Sequence, residues 1–318
     1  MTWLQAAHSA LHPASAQADR VGRLYNFLLI VAVLVFVAVM VAALWAAWRR
    51  RPIDEDTSPA RDARAHRVIF AGAAATVAIL FVALVYDLAL GRSLTRRATR
   101  EMLTVRITGH QWWWEVEYED PTPQNRVRTA NELHVPVGQT VALKLASADV
   151  IHSFWAPSLG GKKDLIPGHH NELWFTPTEP GLYRMQCAEF CGLQHAYMAL
   201  EVVVEDSKKF AQWINAQRKP AATPPDTLTA RGKLVFESGP CATCHAIAGT
   251  SAAGTIGPDL THIASRRWLA SGRLGNTRAN LAGWIVDPQR IKPGVLMPSN
   301  GLEPADLQAL LNYLASLK

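Results

Sequence analysis

Nowhere in the 318 residues is there a basic stripe interleaved with exposed aromatics, which argues against nucleic acid as a partner despite a formal net charge of +6 and a pI near 9.3. The excess is local. Residues 1–100 hold 12 basic against 6 acidic side chains, 101–215 hold 9 against 14, and 226–318 hold 9 against 6, with Arg218 and Lys219 between. Cysteine is nearly missing: there are four, Cys187, Cys191, Cys241 and Cys244. An even count in an exported chain ordinarily reads as disulfides. Here each pair is followed closely by a histidine, which a disulfide does not need and a metal or haem site does. Met1 to Asp19 lacks the basic start of a signal peptide. Composition alone names no function, but the length exceeds one typical domain and allows two or three units.

Charge is absent over two long runs. Leu24 to Trp48 is an uncharged stretch of 25 residues, about 37 Å as a helix against a hydrocarbon core of about 30 Å. Val68 to Tyr86 is a second, about 28 Å long. Between them stand Arg49, Arg50, Arg51, Arg61, Arg64 and Arg67, which predicts a transmembrane hairpin, with spans at about 24–48 and 68–90, whose loop faces the cytoplasm. Arg92, Arg96, Arg97 and Arg100 beyond the second span blur the charge rule. An even number of spans places both termini on one side.

Residues 101–215 read as a β-sandwich or barrel. Strands are expected at Leu103 to Ile107, Glu115 to Tyr118, Glu132 to Val135, Val141 to Leu145, Glu172 to Phe175, Leu182 to Gln186 and Ala199 to Val204, with glycine and proline punctuation between them. Near the end of this stretch Cys187, Cys191, His195 and Met198 crowd one loop, and His152 stands 35 residues before the first cysteine. Soft sulfur with imidazole suits copper or zinc, and a thioether is a ligand of electron-transfer copper. Zinc stays open on spacing alone.

Six motifs in order carry a resemblance over this part of the chain. They are Gly109 to Trp114, Val150 to Phe154, Pro157 to Gly160, Ile166 to Gly168, Pro180 to Tyr183, and the loop Cys187 to Met198. Together they resemble subunit II of the haem-copper cytochrome c oxidases. The resemblance implies a cupredoxin-like barrel holding a dinuclear copper centre, CuA. Cys187 and Cys191 would bridge two coppers, His152 and His195 would each end one, and Met198 and the Glu189 carbonyl would be weak axial ligands. The Glu189 side chain would hold magnesium at the border with subunit I, and Trp112 would be the entry point for electrons. His169 stands where the family often has arginine, which puts that contact to subunit I in doubt. The second span opens with Arg67 to Gly72 and no carboxylate, so proton entry through this subunit is not supported. His110, His134, His169, His170 and His262 read as surface or supporting residues.

Residues 216–227, with Pro220, Pro224 and Pro225, read as an extended linker. After it, Cys241-Ala242-Thr243-Cys244-His245 is the c-haem attachment pattern: two thiols placed for the vinyl groups and an imidazole for the iron. A lone motif of this kind could equally be a redox dithiol or half a zinc site. The surrounding residues resemble a small all-α class I cytochrome c: Gly232 and Phe236 before the motif, Gly257 to Leu260 after it, Met297 as sixth ligand, and a closing helix from Pro304 to Leu317 bearing Tyr313. The domains expected are therefore 1–100 with the hairpin, 101–215 for copper, 216–227 as linker and 228–318 for haem.

The resemblance implies a caa3-type terminal oxidase subunit in the bacterial inner membrane, with both cofactor domains on the periplasmic side. One covalent haem c would take electrons from a soluble or membrane cytochrome c or a quinol–cytochrome c reductase. CuA would relay them to subunit I of a proton-translocating complex that also holds subunit III. Against a quinol oxidase subunit stands the presence of all five copper-ligating side chains. The CuA component of a nitric oxide reductase and a membrane-tethered copper or zinc delivery protein are the other readings. The charge split further predicts that the haem domain docks transiently on Glu115, Glu117, Glu119 and Asp120 through a linker reaching about 37 Å.

Overall fold

A computed structural model describes residues 8–49, 59–95 and 102–318. Arg50, Arg51, Arg96, Arg97 and Arg100, and the side chain of Arg61, lie outside the described residues. The chain divides into two compact units, Asp19–Arg97 and a larger one made of Met1–Ala18 with Ala98–Lys318.

The smaller unit is a pair of helices, α1 (Ala16–Trp48) and α2 (Pro59–Thr95). Each exceeds the expected span: α1 starts eight residues before Leu24 and α2 nine before Val68. A helix does not stop where hydrocarbon ends, because its backbone bonds are satisfied internally on either side of the boundary. Asp19, Arg20 and Arg23 extend the first helix, and Pro59 at the first helical position opens the second. Phe27 meets the edge of Tyr86 at 5.4 Å between centroids, and the Arg20 guanidinium donates to the Ser93 carbonyl. Val33, Leu34, Phe36 and Phe81 are exposed, as a lipid-facing surface requires.

The larger unit holds two apolar cores. The first lies between two five-stranded sheets. One runs in the order β3 (Val127–Ala130), β2 (Trp113–Tyr118), β1 (Leu103–His110), β5 (Val141–Ser147), β8 (Asn171–Phe175). The other runs β4 (Glu132–Pro136), β10 (Ala199–Glu205), β9 (Gly181–Cys187), β6 (His152–Trp155), β7 (Lys163–Leu165). The β1·β5 and β4·β10 pairs are parallel, so the chain crosses over rather than meandering. Alternate residues Val105, Ile107, Trp114, Val116, Leu143 and Leu145 face inward and are fully buried. The segment before α1 belongs here too, since Ala14 and Ala16 donate to the carbonyls of Ser158 and Thr176.

Helix α3 (Ser207–Gln217) follows, capped by Asp206, and lays Phe210 and Trp213 against Tyr118 and His134. It takes Ala216 and Gln217 out of the expected linker, while Thr227 opens the next helix. The nine residues between do not hang free: Ala221 donates to the Ala248 carbonyl, and His262 reaches the carbonyls of Gln217 and Lys219.

The second core is helical: α4 (Thr227–Ser238), α5 (Cys241–Cys244), α6 (Arg278–Val286), α7 (Pro288–Ile291) and α8 (Pro304–Ser316), with a small hairpin β11 (Trp268–Leu269) and β12 (Leu274–Gly275). Helices α4 and α8 cross at Gly232, where a Cβ would stand 2.0 Å from the Ala309 carbonyl oxygen. Only glycine permits that approach. Phe236 and Tyr313 fill the crossing.

Candidate functional site

Two constellations lie in the larger unit. In the first, β9 delivers Cys187 at its last residue, the following loop carries Cys191, a short helical turn at His195–Tyr197 leads to Met198, and β6 presents His152 from the neighbouring strand. Phe154 and Cys187 are paired across the two strands, which places His152 beside the loop. The Cys187 and Cys191 sulfurs lie 3.7 Å apart. That is far beyond the roughly 2.05 Å of a disulfide. It is also less than twice a metal–thiolate bond of about 2.3 Å, so one metal can touch both. His152 Nδ1 is 3.9 Å from Cys187 Sγ, and His195 Nδ1 is 3.6 Å from Cys191 Sγ. Met198 Sδ is 3.8 Å from Cys191 Sγ, and the Glu189 carbonyl oxygen 3.3 Å from Cys187 Sγ. The structure thus brings together all six groups that the sequence singled out. Each sulfur has one imidazole and one weak donor beside it, a set that fits two coppers bridged by two thiolates.

Electrostatics suit the same occupant. The neighbouring Cys191 sulfur holds the Cys187 thiol well below its usual range, while burial works against this and His152 adds to it. The thiolate formed at Cys187 pushes Cys191 up. Two buried sulfurs this close, with the His152 imidazole beside them, offer a cation a ready set of ligands.

One contributor escaped the sequence reading. Asp149 Oδ1 lies 2.8 Å from His152 Nε2, and its carboxylate also accepts from the Val150 and Gln111 amides. Burial alone would raise the Asp149 carboxyl, but His152 and the two amides hold it below its usual range. Burial likewise works to lower His152, and Asp149 and Cys187 outweigh it and raise it. Such a carboxylate fixes which imidazole nitrogen faces the metal and raises its basicity. The signal was present, since an acid three residues before a candidate histidine can fold back on it.

The second constellation surrounds a cavity of about 360 Å³ lined by Cys241, Cys244, His245, Trp284 and Met297. His245 Nδ1 lies 2.7 Å from the Pro258 carbonyl, which takes the proton there and leaves Nε2 as an acceptor. Burial pushes His245 below its usual range and keeps the imidazole neutral. A Cβ on Gly257 would come within 2.6 Å of the imidazole carbon Cε1, so glycine here keeps the histidine seat open. Gln289 sets the opposite wall by donating to the carbonyls of Val295 and Met297. Two thiols, a neutral imidazole and a thioether around one apolar cavity fit a covalently held haem.

Trp112 joins the two constellations. It lines the cavity, and its indole N–H donates to the Cys191 carbonyl at 2.8 Å. Trp113 stacks on His110 at 4.3 Å, and Trp114 sits in the core against His152. His134 pairs with Glu205, His262 ties the chain end to the linker, and His169 and His170 are exposed.

The expected acidic docking surface is not where the haem domain sits. Glu115, Glu117, Glu119 and Asp120 are engaged by Arg128, Arg126, Arg106 with Lys144, and Arg218. These four acids are therefore paired on their own domain rather than presented to a partner. Ion pairs between the two cores run instead from Arg266 to Glu132 and from Arg267 to Glu201.

Residues 121–206 match the family "cytochrome c oxidase subunit II, periplasmic domain", and residues 229–318 match "cytochrome c". The chain is 38% identical over 215 residues to "cytochrome c oxidase subunit 2" of Alkalihalophilus pseudofirmus, covering 67% of this chain and 61% of that protein. The Bacillus subtilis protein of the same description is 32% identical over 233 residues, covering 70% and 64%. The chain thus spans a little under two thirds of these relatives' length. Among solved structures, the periplasmic domain of subunit II of cytochrome oxidase from Bradyrhizobium japonicum is 33% identical, with a TM-score of 0.36, over 38% of this chain and 97% of that one.

Proposed function

We propose that the chain is a member of the cytochrome c oxidase subunit II family with a fused cytochrome c domain, a reading supported by the two family matches and the curated relatives, and that it is the electron-entry subunit of a terminal oxidase. When bound, haem c and the copper pair supply one-electron redox chemistry, and oxygen is reduced to water in subunit I. Cys241 and Cys244 would fix the haem by thioethers, with His245 and Met297 on its two faces. His152, Cys187, Cys191, His195, Met198 and the Glu189 carbonyl would hold the copper pair. Two apolar helices and a periplasmic-domain match fit a bacterial membrane protein with its β-domain on the outer side.

The observation that carries this reading is the pairing of two sulfurs 3.7 Å apart with one imidazole and one weak donor on each. This chain's own contribution is to hold that set in advance. Asp149 orients His152, Gln186 ties its amide to the carbonyls around His195 to Met198, and the buried position of Met198 excludes water. The donor, a cytochrome c or a quinol–cytochrome c reductase, the presence of subunit III and a magnesium ion on the Glu189 side chain belong to the same proposal. The test is the purified membrane complex: a denaturing gel stained for haem should show a band at the mass of this chain, and the complex should oxidise reduced cytochrome c with oxygen uptake. A haem lost to acid-acetone extraction, or a complex inert toward reduced cytochrome c, would refute it.

A further inference from the structure

The junction between the two cores is made of buried, directional contacts. Lys292, five residues before Met297, is 1% exposed, and its ammonium donates to the Trp112 carbonyl at 2.7 Å and to the Ala270 carbonyl at 3.2 Å. Gln194, the residue before His195, donates to the Pro293 carbonyl at 2.7 Å. On the other flank Ser271 and Ala199 exchange two bonds: Ser271 Oγ donates to the Ala199 carbonyl, and the Ala199 amide donates to the Ser271 carbonyl. Ala199 directly follows Met198. The loop that carries one proposed haem ligand is thus fastened to the loop that carries five proposed copper ligands.

The hairpin that supplies Ala270 and Ser271 has an unusual backbone. Ala270, Ser271 and Gly272 have φ of 51°, 59° and 86°, three left-handed residues in a row of which two carry a Cβ. That conformation crowds Cβ against the carbonyl and persists where the surroundings over-determine it. Both strained residues place their carbonyls in the junction, Ala270 toward Lys292 and Ser271 toward Ala199. A carrier that docks and leaves would rely on hydrated charge pairs at a rim, which steer encounter more than they hold. Here the ammonium is taken out of water and held by main-chain carbonyls, so leaving would break the junction as a unit.

We propose that Lys292 is a positioning residue: by gripping the Trp112 carbonyl it holds the haem-ligand loop in fixed register with the copper-ligand loop, so that the two redox sites of one chain stay docked through turnover. Trp112 is held at both ends, its carbonyl by Lys292 and its indole N–H by the Cys191 carbonyl. This rests on the assignment of the two sites above, and the two ideas fail separately.

Two measurements on the purified complex with the full chain test it. Amide exchange read by mass spectrometry reports docking whether or not cofactors are loaded. In the native chain, Ala199 and the hairpin at 268–275 should be protected like the core strands. Lys292→Met, which removes both bonds, should raise exchange there at least about tenfold, the scale of losing even one buried hydrogen bond from a charged donor, with β1 and α8 unchanged. Lys292→Arg, which keeps a donor, should recover most of the protection. Dipolar spectroscopy between the oxidised haem and copper spins should give one narrow distance in the native chain and a broadened distribution in Lys292→Met. Junction exchange as fast as an exposed loop in the native chain, or no change on Lys292→Met, would overturn the proposal. If Lys292→Met unfolds the haem domain, the native protection and the Arg variant decide. Absence of both spin signals from a native chain with a protected junction would instead overturn the assignment of the sites.

Discussion

Replacing Asp149 by alanine would isolate the one contributor to the copper loop that lies outside the expected ligand set. Three bonds go with it: from His152 Nε2 at 2.8 Å, and from the Gln111 and Val150 amides at 2.6 Å each. A bond to a charged acceptor is worth about 1.5–3 kcal/mol. The sum overstates the loss, because the Asp149 side chain is 31% exposed and water can reach the two amides. The imidazole bond is different, since His152 is fully buried. Its loss frees the ring to turn and lowers the basicity of the nitrogen facing Cys187. Removing such an outer carboxylate typically costs 10–100-fold in metal affinity, or about 1.4–2.8 kcal/mol at 1.4 kcal/mol per tenfold. Competition with a copper chelator, followed by the visible absorption of the thiolate–copper bonds, should therefore show a loss of about 10–100-fold in Asp149→Ala. Asp149→Asn, which keeps an acceptor, should fall between. Unchanged affinity in Asp149→Ala would refute the claim that this carboxylate orients His152.

Gly232→Ala should destabilise the haem domain by about 1–3 kcal/mol through overpacking against the Ala309 carbonyl, with its melting temperature lower by about 4–8 °C per kcal/mol. Calorimetry checks this, and the copper domain transition should not move. Met297→Ala should remove the weak methionine-to-iron absorption band without releasing haem. Glu115, held down by the nearby His110 and by Arg128 against burial, and Glu119, where Lys144 and Arg106 outweigh burial, both have carboxyls below their usual range. Their contribution is fully present above the unfolded carboxylate pKa of about 4.3 and is lost as pH falls through the lower folded values. Denaturant titrations should show β-domain stability falling below about pH 4.5, and less steeply in Glu115→Gln.

Both constellations were legible because the residues that compose them are mostly close in sequence. Five of the six proposed copper groups sit within twelve residues, Cys187 to Met198, and the proposed haem motif within five, Cys241 to His245. The long alternating strands β1, β5 and β9 announced themselves by period. Strands β3, β6 and β7 did not. They have three or four residues, and β6 is buried on both faces at His152, Ser153 and Phe154, so it shows no alternation. Helix α3 was hidden because its apolar stripe is only Phe210, Trp213 and Ile214 in a polar run. The acidic run after Trp112 misled because charge counts ignore pairing. Arg128 on the neighbouring strand β3 and Arg126 just before it pair diagonally with Glu115 and Glu117, so strand pairing engages acids that a sequence count leaves looking free. Junction contacts such as Lys292 with Trp112 span 180 positions and left no local trace.

The central claim is that Cys187 and Cys191 hold two coppers jointly. Electron spin resonance of the isolated complex, with metal analysis on the same sample, tests it most directly. Two coppers per chain should be found in this site, with a signal split by two equivalent copper nuclei that is lost when Cys187 or Cys191 is changed to serine, because one thiolate cannot bridge symmetrically. A single-copper hyperfine pattern, or zinc in place of copper, would contradict it.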